Sequence, residues 1–357
     1  MRSAREGDFI ETTEHLIFDV KGLVHPKTHI IAFLRYFPDA AGTRLRNGVR
    51  YKKVYTLEER YQVLKEKFPH YLYQDPRIED TVLQAVPQEY IWKVHRPQEY
   101  LSGVLEAPGS VDEEALREFV LILQEASKVS LAALGVSGSF LVGVSTPQSD
   151  LDIIAYGSES GRKVYEGLAA LFQTPKSPVR PYRMEELKAL WEFRVRDTPL
   201  SFEEFVKFEQ RKRLQGKFEV RGRSLDFYVR LIKDWEEVTE RYSDRRHTPL
   251  GTVLVEGTIL SEEEALFTPC RYPIALHRFY WVDKKKREGI RGEGRERVPG
   301  DPVREVISYR GRFCEAYKGA VIQARGTLER VEDLRGDSYL QVVVGNHKLD
   351  FLKICDY

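Results

Sequence analysis

The chain has 357 residues, 42% hydrophobic and 31% charged, which is enough for two or three domains with real cores. A net charge of +1 excludes a global basic field, so any nucleic-acid contact has to come from local patches. The three cysteines, Cys270, Cys314 and Cys355, are far apart and form no CxxC pair; this suggests neither a disulfide framework nor a zinc site and makes a reducing cytoplasm the default compartment. The first residues hold no apolar signal core, and no run approaches the ~20 apolar residues of a membrane span. High charge of both signs with only two methionines is compatible with a thermophile's protein.

Residues 1–105 read as an N-terminal α+β domain. The stretches Leu16–Val20 and His29–Phe37 are rich in β-branched and aromatic residues and predict strands. Asn47-Gly48 predicts a hairpin between Arg44–Arg46 and Val49–Val54. Thr56 with Glu59 is a capping box for a helix reaching Phe68. The prolines scattered from Pro87 to Pro108 suggest a connection. Ser110 and Glu113 make a second capping box, and Leu116, Phe119, Val120 and Leu123 then mark one helix face. Leu131–Val136 reads as a buried strand running into Ser137-Gly138-Ser139, followed by a short helical segment and a strand over Asp150–Ala155. Val164, Leu168 and Leu171 mark the next helix, residues 183–215 read as helical and highly charged, and Glu219–Leu231 begins a long strand. A break is expected near Ser243–Pro249. Beyond it, residues 246–357 form a β-rich unit with strands over Thr252–Leu260, Ile274–Val282, Val303–Tyr309, Ala320–Arg330 and Tyr339–Val344, suggesting a small barrel or curled sheet. Gly257-Thr258-Ile259 and Gly326-Thr327-Leu328 are faintly alike.

The chemistry concentrates in residues 106–245. Asp150 and Asp152 are two apart, so on a strand they share one face while Leu151 and Ile153 share the other. Two carboxylates this close repel, and a cation between them resolves the repulsion. Upstream, Gly138-Ser139 forms a small-residue turn able to offer backbone N–H groups to phosphate. In Arg223–Leu231 the apolar residues Leu225, Phe227, Val229 and Leu231 alternate with Asp226, Tyr228 and Arg230. An aspartate inside a strand is unusual, which makes Asp226 the candidate third carboxylate.

Gly138-Ser139, ten residues, Asp150-Leu151-Asp152 and a later strand aspartate resemble the nucleotidyltransferase superfamily of DNA polymerase beta, over roughly residues 110–240. Ser149 before Asp150 and Gly143 midway fit the resemblance, and the whole chain has the flavour of an archaeal nucleotidyltransferase. The resemblance implies a central mixed sheet with helices and a transfer of a nucleoside monophosphate from an NTP, with pyrophosphate leaving. It implies Mg²⁺ or Mn²⁺ on Asp150, Asp152 and Asp226, with Asp226 also helping to deprotonate the acceptor hydroxyl. Gly138 and Ser139 would hold the β- and γ-phosphates. The sequence departs from the pattern at Phe140-Leu141-Val142, where many members carry a basic residue; Arg211-Lys212-Arg213 and Lys217 are candidate replacements, although a charged helix face also accounts for them.

Two segments are candidate nucleic-acid contacts. The Asn47-Gly48 hairpin carries Arg44, Arg46, Arg50, Lys52 and Lys53 with Tyr51 and Tyr55 interleaved, a pairing suited to RNA or to edge protection. The stretch Asp283–Arg297 has seven basic residues against four acidic, and its glycines suggest a solvated loop. The β-rich C-terminal unit is compatible with an oligonucleotide-binding barrel, though no residue pattern demands one. His25 and His29 do not make a metal pair, because Pro26 argues against a helix between them. The expectation is therefore a cytoplasmic nucleotidyltransferase with no membrane partner, acting on RNA or another nucleic acid. The alternatives are a protein- or small-molecule-modifying enzyme and a non-catalytic nucleic-acid-binding scaffold, and the outer domains could equally bind a partner protein.

Overall fold

The computed structural model describes residues 4–78, 81–284 and 302–355. In chain order it begins with β1 (Phe9–Thr12), β2 (Ile17–Val20), β3 (His29–Pro38), β4 (Arg44–Arg46), β5 (Val49–Lys53) and α1 (Leu57–Lys67). Then come β6 (Leu72–Gln74), β7 (Val82–Pro87), β8 (Ile91–His95), α2 (Pro97–Glu106), α3 (Val111–Ser127), β9 (Leu134–Val136), α4 (Gly138–Leu141), β10 (Leu151–Tyr156) and α5 (Ser158–Gln173). After β11 (Val179–Arg180) follow α6 (Met184–Arg194), α7 (Phe202–Glu209), β12 (Gln215–Val220) and β13 (Arg223–Ile232). The chain ends with β14 (Arg245–Ile259), β15 (Cys270–Lys284), β16 (Val303–Ser308), β17 (Val321–Asp333), β18 (Ser338–Val343) and β19 (Phe351–Cys355). The protein is mixed α+β with three sheets. It divides into two compact units: Met1–Leu72, Gln84–Arg183 and Lys212–Thr239 form one, and Tyr73–Leu83, Met184–Arg211 and Glu240–Tyr357 the other. The stretches read as the first two domains thus fall largely into one unit. No helix among the described residues is long and apolar enough to cross a membrane.

The first unit holds two sheets. One runs β4-β5-β3-β2-β1-β8, every neighbouring pair antiparallel. Its β4–β5 turn forms at Asn47 and Gly48, both at positive φ (49° and 78°), as that dipeptide requires. The other runs β11-β12-β13-β10-β9, and only β10 and β13 are parallel within it. Helices α3 and α5 cover one face. There the Phe119 ring lies 4.9 Å from Phe227 and 5.2 Å from Phe218, centroid to centroid, and Leu116, Val120 and Leu123 are fully buried. The Thr56 and Ser110 hydroxyls cap their helices as expected, accepting from the Glu59 and Glu113 N–H groups at 3.1 and 3.2 Å.

Several expectations are corrected. Pro87–Pro108 is not a connection: it contains β8 and α2, because Pro97 sits in the first helical turn, where its missing N–H costs nothing. Of Leu131–Val136 only the last three residues are strand, the first three forming a 3₁₀ turn capped by Ser130. Glu219–Leu231 is no single strand but a hairpin, since Arg221 and Gly222 take positive φ (51° and 74°). The charged stretch 183–215 breaks into two helices, because Ser201 caps α7 with a full capping box.

In the second unit the C-terminal strands close on themselves. They run β14-β15-β16-β18-β17, and β17 pairs back to β14, with β19 added on β17. Closure removes the open edges, and the interior is filled by Val253, Val255, Tyr272, Val306, Leu328, Leu340 and Val342. The two look-alike Gly-Thr segments lie on the paired strands β14 and β17. A Cβ at Gly257 would run into the Ala275 carbonyl and one at Gly326 into the Val343 carbonyl, so both positions need a bare backbone where a neighbouring strand comes close. The expected break at Ser243–Pro249 is mostly strand, because β14 already begins at Arg245 and absorbs Pro249 at a register shift. The basic stretch from Lys285 to Arg297 lies outside the described residues.

Candidate functional site

The central sheet's helix-covered face takes Leu151, Ile153, Leu225 and Phe227, so the intervening residues face the other way. Leu151 sits opposite Phe227 and Asp152 opposite Tyr228; one step earlier stand Asp150 and Asp226. Asp150 precedes β10 rather than belonging to it. The parallel pairing thus brings all three aspartates to one end of neighbouring strands.

Gly138 and Ser139 open the single turn α4, directly against this end. The Ser137 N–H donates to the Asp152 carbonyl at 2.8 Å, and the Ser137 hydroxyl donates to the Gly7 carbonyl at 2.7 Å. Gly138 has φ +66°, and a Cβ built on it would overlap the Asp152 carboxylate. Glycine is needed here for both conformation and space. The Ser139 side chain is buried, and its carbonyl accepts from Val144 N–H at 3.0 Å. Ser149 is a positioning residue. Its hydroxyl accepts from Thr146 N–H at 2.9 Å and from the Arg44 guanidinium at 3.4 Å, and Arg44 also donates to Thr146 Oγ1 at 2.9 Å and to the Val144 carbonyl at 3.3 Å. Arg44 therefore pins the loop that leads into Asp150.

The first sheet packs onto this region. Phe9, Ile17, Tyr36 and Tyr51 share a core with Leu141, Val142 and Val144, which explains the apolar run after Gly138-Ser139. Two of the hairpin cations offered as nucleic-acid contacts are consequently engaged inside the unit. Besides Arg44, Arg46 pairs with Glu11 at 2.9 Å, and His95 reaches the same carboxylate at 2.9 Å. Burial alone would raise the Glu11 pKa, but the bonds from His95 and Arg46 outweigh it and hold it at about 2.

Around the carboxylates the charges interlock. Burial, followed by the repulsion of Asp150, pushes Asp152 up to about 6 against the pull of Arg230, Arg35 and Lys53. Burial and the nearby Arg35 push Lys53 down to about 8, opposed by Asp150 and Asp152. Tyr36 rises to about 12, mainly through burial. Arg230 is bound to Glu6 at 2.7 Å, while Lys21 bridges Glu6 at 3.2 Å and Asp19 at 2.8 Å. Asp226 donates nothing to this cluster: its Oδ2 accepts from Lys217, its cross-strand partner, at 2.9 Å.

Lys212 and Arg213 are not gathered here, and Arg211 belongs to the second unit. The Arg211 guanidinium lies over the Tyr317 ring at 4.3 Å in the second unit, Lys212 is buried, and Arg213 lies 5.0 Å above Tyr165 on α5, the helix covering the opposite face of the sheet. The cations that act on Asp152 are Arg230, which is bound to Glu6, and Arg35 and Lys53. Sequence reading passed over Arg35 because it sits within a strand; the available signal was an arginine in the middle of an apolar run.

Asp150 and Asp152 offer hard oxygen donors suited to Mg²⁺ or Mn²⁺. Among the described residues, however, no group of three or more His, Cys, Asp or Glu side chains is gathered to hold a metal ion. Two carboxylates that leave the remaining positions to phosphate and water are a usual arrangement for Mg²⁺, so the pair fits such an ion while the full triad is not assembled.

Fold and site together define a mixed α+β protein with a carboxylate pair at the end of a parallel strand pair. The chain is 32% identical over 355 residues to "Uncharacterized protein MJ1086" of Methanocaldococcus jannaschii, covering 96% of each, and belongs to that protein's family. No known family profile and no solved structure matches the chain.

Proposed function

We propose that this protein is a nucleotidyltransferase of the DNA polymerase beta type, moving a nucleoside monophosphate from an NTP to an acceptor with release of pyrophosphate. One observation carries the reading: the parallel register of β10 and β13 sets Asp150, Asp152 and Asp226 at one strand end, with Gly138 closed onto the Asp152 carboxylate. A sheet in which only these two strands run parallel, with helices on the opposite face, supports it.

A bound Mg²⁺ or Mn²⁺ would supply Lewis-acid polarisation of the reacting phosphate. Asp150 and Asp152 would hold it, their backbone fixed by the Arg44–Thr146–Ser149 bonds and by Ser137. Asp226 would take the acceptor's proton; Lys217 donates to its Oδ2 and leaves Oδ1 for that role. The Gly138-Ser139 turn brings backbone close to the substrate, but one turn of helix carries little dipole.

The acceptor was expected to be RNA because of the basic hairpin. Arg44 and Arg46 are instead bonded within the first unit, and this specific observation favours a protein or small-molecule acceptor as the second reading. The test is incubation with each α-labelled NTP, Mg²⁺ or Mn²⁺, and cellular RNA, beside an Asp150→Ala/Asp152→Ala control. Aspartate-dependent label in RNA supports the first acceptor; label on protein or in small molecules supports the second. No aspartate-dependent label with any nucleotide and any acceptor fraction sinks nucleotidyl transfer and leaves a non-catalytic scaffold.

A further inference from the structure

The departure from the nucleotidyltransferase pattern leaves a triphosphate without its usual cation after Gly-Ser, and Arg211–Arg213 do not fill the gap. The first sheet does. Strand β3 carries a bulge: Ile17 pairs with Tyr36 and Phe18 with Leu34, so Arg35 is the extra residue between them. Bulges re-aim side chains and gather near functional sites. Here the bulge adds Arg35 to the face of Tyr36, and Lys53 pairs directly opposite Tyr36 on β5. Tyr36, which both flank, packs against Leu141, Val142 and Val144 just after Gly138-Ser139, and both cations act electrostatically on Asp152. Among the described residues neither makes a side-chain hydrogen bond or ion pair; Lys53 Nζ lies 5.1 Å from the Tyr55 ring, a contact a phosphate can displace. Every other cation in the cluster is engaged: Arg230 by Glu6, Lys21 by Glu6 and Asp19, Arg44 by the loop before Asp150.

We propose that Arg35 and Lys53 are the polyphosphate-binding pair of this site, and that through them metal and polyphosphate bind together rather than separately. The inference rests on the nucleotidyl-transfer reading and names residues that reading lacks. On their own the two cations compensate Asp150 and Asp152, which weakens the pull of those carboxylates on a free divalent ion. A polyphosphate takes Arg35 and Lys53 as its own partners. It thereby frees the carboxylates and supplies the oxygen donors that the protein does not gather by itself. Lone metal meets competing cations, and lone polyphosphate meets two carboxylates. Only the metal–polyphosphate complex satisfies both charges.

The test uses the full chain, titrated calorimetrically with Mn²⁺ alone, with tripolyphosphate in EDTA, and with the preformed Mn²⁺–tripolyphosphate complex. The complex should bind at least about tenfold more tightly than either component. Arg35→Gln and Lys53→Gln should each weaken the complex roughly ten- to a hundredfold, the scale of a hydrogen bond to a charged group. The same variants should bind Mn²⁺ alone more tightly than wild type, a gain that general loosening of the fold cannot produce. Lys52→Gln, an exposed neighbour on the hairpin, serves as control and should change nothing. Variants that bind the complex like wild type, or that lose Mn²⁺ together with the complex, overturn the proposal. Complex binding that depends on Arg35 and Lys53 without transfer of any labelled nucleotide upholds the polyphosphate site and removes nucleotidyl transfer. Transfer at wild-type efficiency by both variants does the reverse.

Discussion

The central sheet of the first unit and the ring of the second use strands for opposite ends. The ring spends its inward face on an apolar interior and closes its edges by pairing β17 with β14. The central sheet buries an apolar face under α3 and α5, and on the other it sets the charges of Asp150, Asp152 and Arg230 beside buried Ile154, Tyr156 and Ile232. Closure makes a scaffold; a strand end where partly buried charges gather makes a place suited to chemistry. The contrast teaches that substitutions in the two regions should separate cleanly, the ring answering in stability and the strand end in activity.

The largest effect should come from Asp152→Ala or Asp150→Ala, each lowering the proposed nucleotidyl transfer at least roughly a thousandfold, since these carboxylates would hold the metal. Stability should move the other way. The folded Asp152 pKa of about 6 lies above the ordinary value of 3.8, so ionisation costs stability as pH rises from about 4 to 6 and the cost persists above that. Asp152→Asn should therefore raise the melting temperature of the metal-free protein at pH 8 and leave it nearly unchanged at pH 3.5. A lower melting temperature at pH 8 would mean that Arg230, Arg35 and Lys53 stabilise this carboxylate more than burial and Asp150 oppose it. Gly138→Ala should couple the two readouts. It forces a Cβ into the Asp152 carboxylate at positive φ, costing about 2–4 kcal/mol and displacing the aspartate, so activity falls even per folded molecule. Urea melts and the labelled-NTP assay check both.

Much of this was legible in the sequence. The alternation Leu225–Leu231 named the face of Asp226, and the Asp150–Asp152 spacing named the shared side, because a period of two leaves no other choice when one face is buried. Asn47-Gly48 fixed its own hairpin. What stayed hidden depended on partners distant in sequence. Arg35 reaches the site only through a bulge set by its pairing with β2, and Arg44 is bound by residues a hundred positions away. The hairpin looked like a nucleic-acid surface because composition records charge and not where it is spent. Arg221-Gly222 was overlooked as a turn because an arginine at positive φ is uncommon.

In the ring, Leu328→Ala should cost about 2–5 kcal/mol, since the side chain is fully buried among Val253, Val306 and Leu340. The transfer rate per folded molecule should not change; a parallel loss of rate would show that the ring takes part in the reaction. Glu11→Gln tests the other side of the comparison, a charge that supports the site without facing it. Its folded pKa of about 2 is below the ordinary 4.5, so its stabilisation is full above about 4.5 and disappears as pH falls toward 2. The variant should lose about 1–3 kcal/mol at pH 7 and match wild type near pH 2, as denaturant melts across that range would record. An unchanged difference at low pH would mean that the loss came from packing around Arg46 and His95 rather than from the carboxylate charge.

The smallest effects should follow Arg211→Ala and Arg213→Ala. Each guanidinium lies over a tyrosine ring, Tyr317 or Tyr165, and such stacking at accessible positions contributes about 0.5–1 kcal/mol. Tyr165 belongs to α5, on the covered face of the sheet, and Tyr317 belongs to the second unit. Arg213 is therefore turned to the covered face rather than toward Asp150 and Asp152, Arg211 is held by a ring of its own unit, and KM for NTP should stay within about twofold of wild type, below the tenfold that a single 1.4 kcal/mol contact would give. The pair is the sharpest control for the strand-end site. With Lys212 and Lys217 these were the cations that the sequence offered to the triphosphate, and a large rise in KM on removing them would turn the triphosphate toward them and away from Arg35 and Lys53.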